Sequence, residues 1–137
     1  MADVFTRKQR SRVMAAVKAE NTSPERKVRS IVHRLGYRFS LHRKDLPGKP
    51  DIVLPRHRGV IFVHGCFWHQ HPRCEAAARP ATNTRYWTAK LDRNIARDKR
   101  NLRTLRRMGW KPLVIWECQL KKPAALEAKL RGFLKKR

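Results

Sequence analysis

The amino-acid sequence predicts a mixed α/β (α+β) fold, a central sheet with helices packed against it. Two observations carry that expectation. The hydrophobic pattern runs helix, strands, helix, strand, helix, with the period switching between 3.6 and 2 residues along the chain. A Cys/His-rich run, His64-Gly65-Cys66-Phe67-Trp68-His69-Gln70-His71-Pro72-Arg73-Cys74, follows directly on the most apolar of the strands. A metal-closed loop is therefore expected at one end of the sheet.

The elements follow in order. Thr22-Ser23-Pro24-Glu25 is a helix start: Thr22 and Glu25 have capping-box spacing, and Pro24 suits the first turn. Val28, Ile31, Val32 and Leu35 then mark one buried face, and Gly36 ends the helix. Tyr37, Phe39 and Leu41 alternate with polar residues, which predicts a half-buried strand. Asp45 to Pro50 is a turn-rich loop. Asp51 to Leu54 and Val60 to His64 read as strands, joined through the turn Pro55 to Gly59 into a hairpin. A long helix is expected from about Arg85 to Met108, with Trp87, Leu91, Ile95, Leu102 and Leu105 on roughly one side and Gly109 as its end. Leu113 to Trp116 is a core strand. Pro123 to Leu134 is a last helix, with Leu126, Leu130, Phe133 and Leu134 facing inward.

The chain of 137 residues is expected to form a single domain spanning 1–137. Its 34 Lys+Arg against 10 Asp+Glu give a formal net charge of +24. A basic run is ordinarily a solvated face, but here the excess is spread over the whole chain. Self-repulsion on that scale opposes folding, so a polyanionic partner explains it better, nucleic acid first. An anionic membrane surface is the competitor, and no strongly amphipathic basic helix with an aromatic face is present to serve it. No apolar stretch approaches the ~20 residues that span a bilayer, and the start of the chain lacks the hydrophobic region of a signal peptide. Residues 1–20 read as a basic arm or short helix that orders on DNA, or as a tail without structure.

Three cysteines form an odd set. With histidine nearby they fit a reduced compartment and metal binding better than a disulfide framework. Cys66, His71, Cys74 and Cys118 would supply three thiolates and one imidazole, a common tetrahedral set for structural zinc. Spacing alone leaves open whether His71 or His69 is the ligand. A free His69, held beside an ordered loop, would suit a general base near neutral pH.

Asp51 follows Pro50 and opens a strand. An acid there can hold a divalent cation at a sheet edge, although a turn or capping role is the commoner one for such an aspartate. His64, at the polar end of the next strand, is expected beside it. Glu25 fits simple helix electrostatics or a place beside the metal. Asp98, inside Arg97-Asp98-Lys99-Arg100, is most simply an intrahelical ion-pair partner. Phe67 and Trp68 are adjacent, so both cannot face one core from a strand. On a metal-stapled loop they suggest stacking or wedging between bases, as does Trp87, whose alternative is the core. Trp110 and Trp116 read as structural.

Pro47-Gly48-Lys49-Pro50-Asp51, the run Val60 to His69, Arg85-Tyr86-Trp87, Asn94 to Asp98, and Gly109-Trp110 through Trp116-Glu117-Cys118 resemble the very short patch repair (Vsr) DNA mismatch endonucleases. The resemblance extends from about Thr6 to about Leu120. It implies a restriction-endonuclease-like fold and Mg2+-dependent cutting of one DNA strand, 5′ of the thymine in a T·G mismatch left by 5-methylcytosine deamination. A cytosine-5 DNA methyltransferase and a repair DNA polymerase would be functional partners, the protein a monomer, and its place the bacterial cytoplasm, at the nucleoid. By the same resemblance Asp51 and the main-chain carbonyl of Val63 would hold Mg2+, and His69 would activate water. His64, Glu25 and Asp98 would support them. Cys66, His71, Cys74 and Cys118 would hold zinc, and Phe67, Trp68 and Trp87 would wedge into DNA beside the mismatch.

The chain departs from the family pattern in three places. Val63 stands where the better-known pattern has threonine, which a carbonyl contact would tolerate. One extra residue in Pro72-Arg73 separates His71 from Cys74, so a local bulge is expected. The chain also stops soon after its last helix. Two other functions fit many of the same residues: a zinc-ordered DNA-binding module without catalysis, and a nicking nuclease of other mismatch or sequence specificity. Asp51 and His69 argue against the pure binder, which has no need of them.

Overall fold

The computed structural model describes residues 23–135. Thr22 and the basic arm 1–20 lie outside the described residues. Helix α1 (Ser23–Arg34) leads into β1 (Ser40–Leu41), β2 (Ile52–Leu54) and β3 (Gly59–His64). The long helix α2 (Thr84–Arg107), strand β4 (Lys111–Trp116) and helix α3 (Pro123–Lys135) complete the order. The sheet runs β1-β2-β3-β4, antiparallel except for the parallel β3–β4 pair. This is the mixed sheet expected, with α2 as the crossover that a parallel pair requires.

The period-2 alternation of β3 sends its side chains into two cores. Ile61 packs with Val28, Ile31 and Val32 of α1 and with Leu126, Leu130 and Leu134 of α3. Val60 and Phe62 pack on the other face, with Leu105 of α2 and with Trp110. The sheet is therefore covered on both sides, and β3 is buried nearly throughout. Burying one such apolar side chain contributes on the order of 2 kcal/mol.

One strand is shorter than its sequence predicts. Tyr37 and Phe39 do pack half-buried against the first core, but only Ser40 and Leu41 pair, with Val53 and Ile52. The register would place Phe39 opposite Leu54 and Arg38 opposite Pro55. Pro55 opens a 3-10 turn, Pro55–His57, so β2 ends and the ladder with it. The hairpin between β2 and β3 closes with Arg58 in the left-handed region, φ 52°. Along α2, Leu91 and Leu105 are buried and Leu102 packs against the core that holds Leu105, whereas Trp87 and Ile95 are only half-buried. Among the described residues no helix is long and apolar enough to cross a membrane.

Candidate active site

The site begins where β2 and β3 run out of pairing. Ile61 pairs with Ile52, so Asp51 lies opposite Phe62, and Pro50, which has no N–H, lies opposite Val63. The Val63 carbonyl is thereby left without a cross-strand donor, while the Val63 N–H donates to Asp51 Oδ2 at 2.7 Å. The carbonyl of an extended residue points to the same side as its N–H, so the Val63 carbonyl faces the Asp51 side as well.

Asp51 sits in a cluster that the sequence shows only in part. Its carboxylate, that of Glu25 and the ring of His42 bring one donor atom each within 4.8 Å of one another. His42 Nε2 bonds Glu25 Oε1, and the His42 N–H reaches the Asp51 carbonyl at 3.4 Å. Burial, with Glu25 hydrogen-bonded alongside, lifts the Asp51 carboxyl from 3.8 to about 7, against the opposing pull of the Val63 N–H and of His42. Two carboxyls that crowd each other in this way fit a hard divalent cation, which takes oxygen ligands and removes their repulsion. Glu25 is 1% exposed, so simple surface helix electrostatics is not its role. His42 carried no sign in the sequence beyond following a half-buried strand; only the β1–β2 pairing brings it to Glu25.

His64 does not lie against Asp51 as a hairpin partner. Its side chain shares the α2 face with Phe62 and stacks on His69, with ring centroids 3.7 Å apart and planes 6° from parallel. His69 Nδ1 bonds Asp98 Oδ2 at 2.7 Å. Asp98 is therefore no intrahelical ion-pair partner: it reaches from α2 to the loop after β3. Burial, and His69 beside it, pull His64 down to about 3, with Asp98 opposing, so His64 is a neutral ring at physiological pH. The stack fixes the plane of His69, and Asp98 fixes which nitrogen faces away. Asp51, Val63, His64, His69 and Asp98 all line one cleft of about 720 Å³ between the sheet end and α2.

The loop after β3 winds back on itself. His69 N bonds Gly65 O at 3.1 Å and His71 N bonds Cys66 O at 2.9 Å. This winding brings Cys66, His71, Cys74 and Cys118 together, with one donor atom each within 4.8 Å of one another. None of these cysteines is in a disulfide. Three sulfurs and one imidazole nitrogen at that spacing suit a tetrahedral zinc, whose Zn–S bonds are ~2.3 Å. His71, not His69, belongs to the set. The extra residue is absorbed in a turn: Arg73 is left-handed, φ 59°, and Cys74 N bonds His71 O at 3.3 Å. Trp116, read as structural, stacks on His71 and meets His64 edge-on, so it joins the Cys/His cluster to the cleft.

Phe67, Trp68 and Trp87 are half-buried and meet in one cluster, with centroids 5.1 to 5.8 Å apart. Tyr86, 56% exposed, extends it. Asn94 of α2 donates to the Trp68 carbonyl at 3.0 Å, and one turn later Asp98 holds His69. The aromatic tip and the candidate base thus hang from the same stretch of helix. Asn94 and Tyr86 were visible in the sequence only as members of motifs, without roles.

A carboxylate-bearing cleft at the end of a mixed sheet, in a chain of net charge +24, is an arrangement that a DNA-cutting enzyme would use. The structure resembles the catalytic domain of the homing endonuclease I-Bth0305I, with a TM-score of 0.56 at 21% identity, covering 82% of this chain and 94% of that one; at this identity the likeness speaks for the fold. The sequence model of DNA mismatch endonuclease Vsr matches residues 2–76. Among relatives, the Type II nicking enzyme V.XorIIP of Xanthomonas oryzae pv. oryzae is 48% identical, over 98% of both chains. DNA mismatch endonuclease Vsr of Escherichia coli K12 is 40% identical, over 88% of this chain and 77% of that one. The Type II nicking enzyme V.NmeAIP of Neisseria meningitidis is 38% identical, over 98% and 96%. The chain belongs to the Vsr family of DNA endonucleases.

Proposed function

We propose that this protein cuts one strand of duplex DNA on the 5′ side of the thymine in a T·G mismatch and so starts very short patch repair. The observation that carries the reading is the shared cleft: the strand-end carboxylate of Asp51 and the Asp98-held imidazole of His69 line one opening, and Trp68, next in chain to His69, belongs to a half-exposed ring cluster.

The residues divide the work as follows. With Nδ1 bonded to Asp98, His69 keeps Nε2 to take a proton from the attacking water. The neutral His64 ring holds the plane of His69 without adding charge. Asp51 and the Val63 carbonyl would hold Mg2+, so valine at position 63 is no obstacle, and Glu25, set by His42, lies alongside. When bound there, Mg2+ supplies charge stabilisation at the scissile phosphate. Phe67, Trp68 and Trp87 wedge beside the mismatch, where a wobble pair is cheaper to unstack than a matched one. Cys66, His71, Cys74 and Cys118 hold a structural zinc that fixes the loop bearing both the wedge and His69. The excess of Lys and Arg binds backbone phosphate.

On this reading the chain acts as one domain and as a monomer on DNA in the bacterial cytoplasm. A cytosine-5 methyltransferase creates the lesion's precursor and a repair polymerase fills the gap. A second reading, a nick in another mismatch or sequence context, is favoured by the nicking-enzyme names of two of the relatives. A nicking assay separates them, using duplexes with one T·G mismatch in varied flanking sequence, matched T·A controls, and Mg2+ present or omitted. The proposal expects a Mg2+-dependent single-strand cut 5′ of the thymine, absent in Asp51→Ala. Equal cutting of matched duplex sinks the mismatch reading. Tight mismatch binding without any cut in any context sinks the enzymatic one.

A further inference from the structure

The cations in the lining of the cleft are Lys49, Arg97 and Arg100. Arg97 is engaged with Asn94 Oδ1 at 3.0 Å. The side chains of Lys49 and Arg100 have no hydrogen-bond or ion-pair partner among the described residues. A cleft that gathers carboxylates would repel a phosphodiester unless such charges meet it, so each free cation there asks for an anionic ligand.

Among the three cleft cations, Lys49 is set apart by its backbone. Its φ is 50°, in the left-handed region, and it directly precedes Pro50, where the following ring restricts the chain further. The turn is closed by Lys49 N to Leu46 O at 3.1 Å. Gly48, at φ 77°, packs so closely that a Cβ would lie 3.0 Å from Asn101 Nδ2 of α2 and 3.1 Å from the Phe62 ring of β3. The turn is thus pinned against both walls of the cleft. Glycine would occupy the Lys49 backbone without strain, yet a lysine stands there. Strain kept at a cleft by surrounding packing is a mark of a side chain in use. Asp51 lies two residues further on the same segment, so the pinned backbone that carries the carboxylate also carries the lysine into the cleft lining.

We propose that Lys49 contacts the substrate: its ammonium holds a non-bridging oxygen of the scissile phosphate and offsets the charge that builds there as water attacks. This rests on the nuclease reading above. In the step, the water oxygen bonds phosphorus and its proton goes to His69, while the P–O3′ bond breaks with its electron pair on O3′, which takes a proton from solvent water and leaves as the 3′-hydroxyl. Lys49 stays protonated throughout and transfers nothing.

The test is single-turnover nicking of a T·G duplex at saturating protein, with Mg2+, comparing wild type, Lys49→Met, Lys49→Arg and Lys49→Gly. Removing one charge that acts on the transition state is expected to slow cutting by ~10²-fold, with the duplex Kd changed far less. Lys49→Arg, which keeps the charge, should recover most of the rate. Lys49→Gly should be as slow as Lys49→Met but melt at or above the wild-type temperature, which separates lost chemistry from lost fold. Sulfur substitution of one non-bridging oxygen should slow the wild type and add little to Lys49→Met. A Lys49→Met protein that cuts at the wild-type rate once saturated, and only binds more weakly, overturns the proposal. So does Lys49→Arg being as slow as Lys49→Met. A wild type that cuts no T·G duplex in any flanking context overturns the functional reading and this proposal with it, whereas the other two results strike this proposal alone.

Discussion

Asp51 works against the stability of the fold that carries it. Its carboxyl rises from 3.8 to about 7 through burial and the neighbouring Glu25. At ~1.4 kcal/mol per tenfold, ionising it costs roughly 4 kcal/mol more in the fold than in the unfolded chain. The folded value lies above the unfolded one, so this group favours the fold most at low pH, and that contribution drains away as pH rises from about 4 to about 7. Asp51→Asn removes the titration and keeps both the size and an oxygen for the Val63 N–H. The assay is urea unfolding of both proteins at pH 5.5 and pH 8, with Mg2+ omitted and no chelator, so that the Cys/His cluster is undisturbed. The two pKa values predict that the advantage of Asp51→Asn grows by about 2 kcal/mol between those pH values, or roughly 6–10 °C in Tm for a chain of this size. Adding Mg2+ at pH 8 should narrow the gap by stabilising the wild type alone, and the variant should not nick. A gap that is the same at both pH values, or a variant less stable at pH 8, refutes the picture of a carboxylate crowded in the apo fold.

Other consequences are equally open to measurement. Because His64 is held near 3 and Asp51 near 7, the nicking rate at low Mg2+ should fall as pH drops through about 7 with the Asp51 carboxyl; raising Mg2+ should move that midpoint down, and an immobile midpoint would assign it to another group. Asp98→Asn leaves His69 without its charged partner and should lower the single-turnover rate ~10²-fold or more while duplex affinity holds. Cys118→Ser removes one of the four clustered donors; metal analysis should show loss of zinc, and the melting temperature should drop. Phe67→Ala combined with Trp68→Ala should reduce the preference for mismatched over matched duplex, and an unchanged ratio would return those rings to a packing role.

Much of this protein could be read from short segments. The faces of α1 and α3, the apolar β3, the helix stop at Gly109 and the supply of metal-type Cys and His donors after β3 are matters of local period, local turn chemistry and donor type, which a chain carries wherever it folds. Residue chemistry raised Asp51 and His69, the motif resemblance added Val63 and His71 as the zinc ligand, and the structure brings Asp51, Val63 and His69 to one cleft. What the sequence left open was pairing. Glu25 looks like an N-terminal helix acid until β1–β2 pairing brings His42 to it, and Asp98 looks like a helix-surface charge until the loop after β3 delivers His69. His42 had no signal at all, and Trp116 passed for plain core although it stands between His64 and His71. The strand expected from Tyr37 pairs only at Ser40 and Leu41, because alternation records which side is buried, not whether a partner strand continues past Pro55. Single-chain periodicity therefore determined the elements and the chemistry on offer. Register, the winding of one loop and the close approach at Gly48 decided which groups meet, because contacts between distant segments depend on packing that no local pattern encodes.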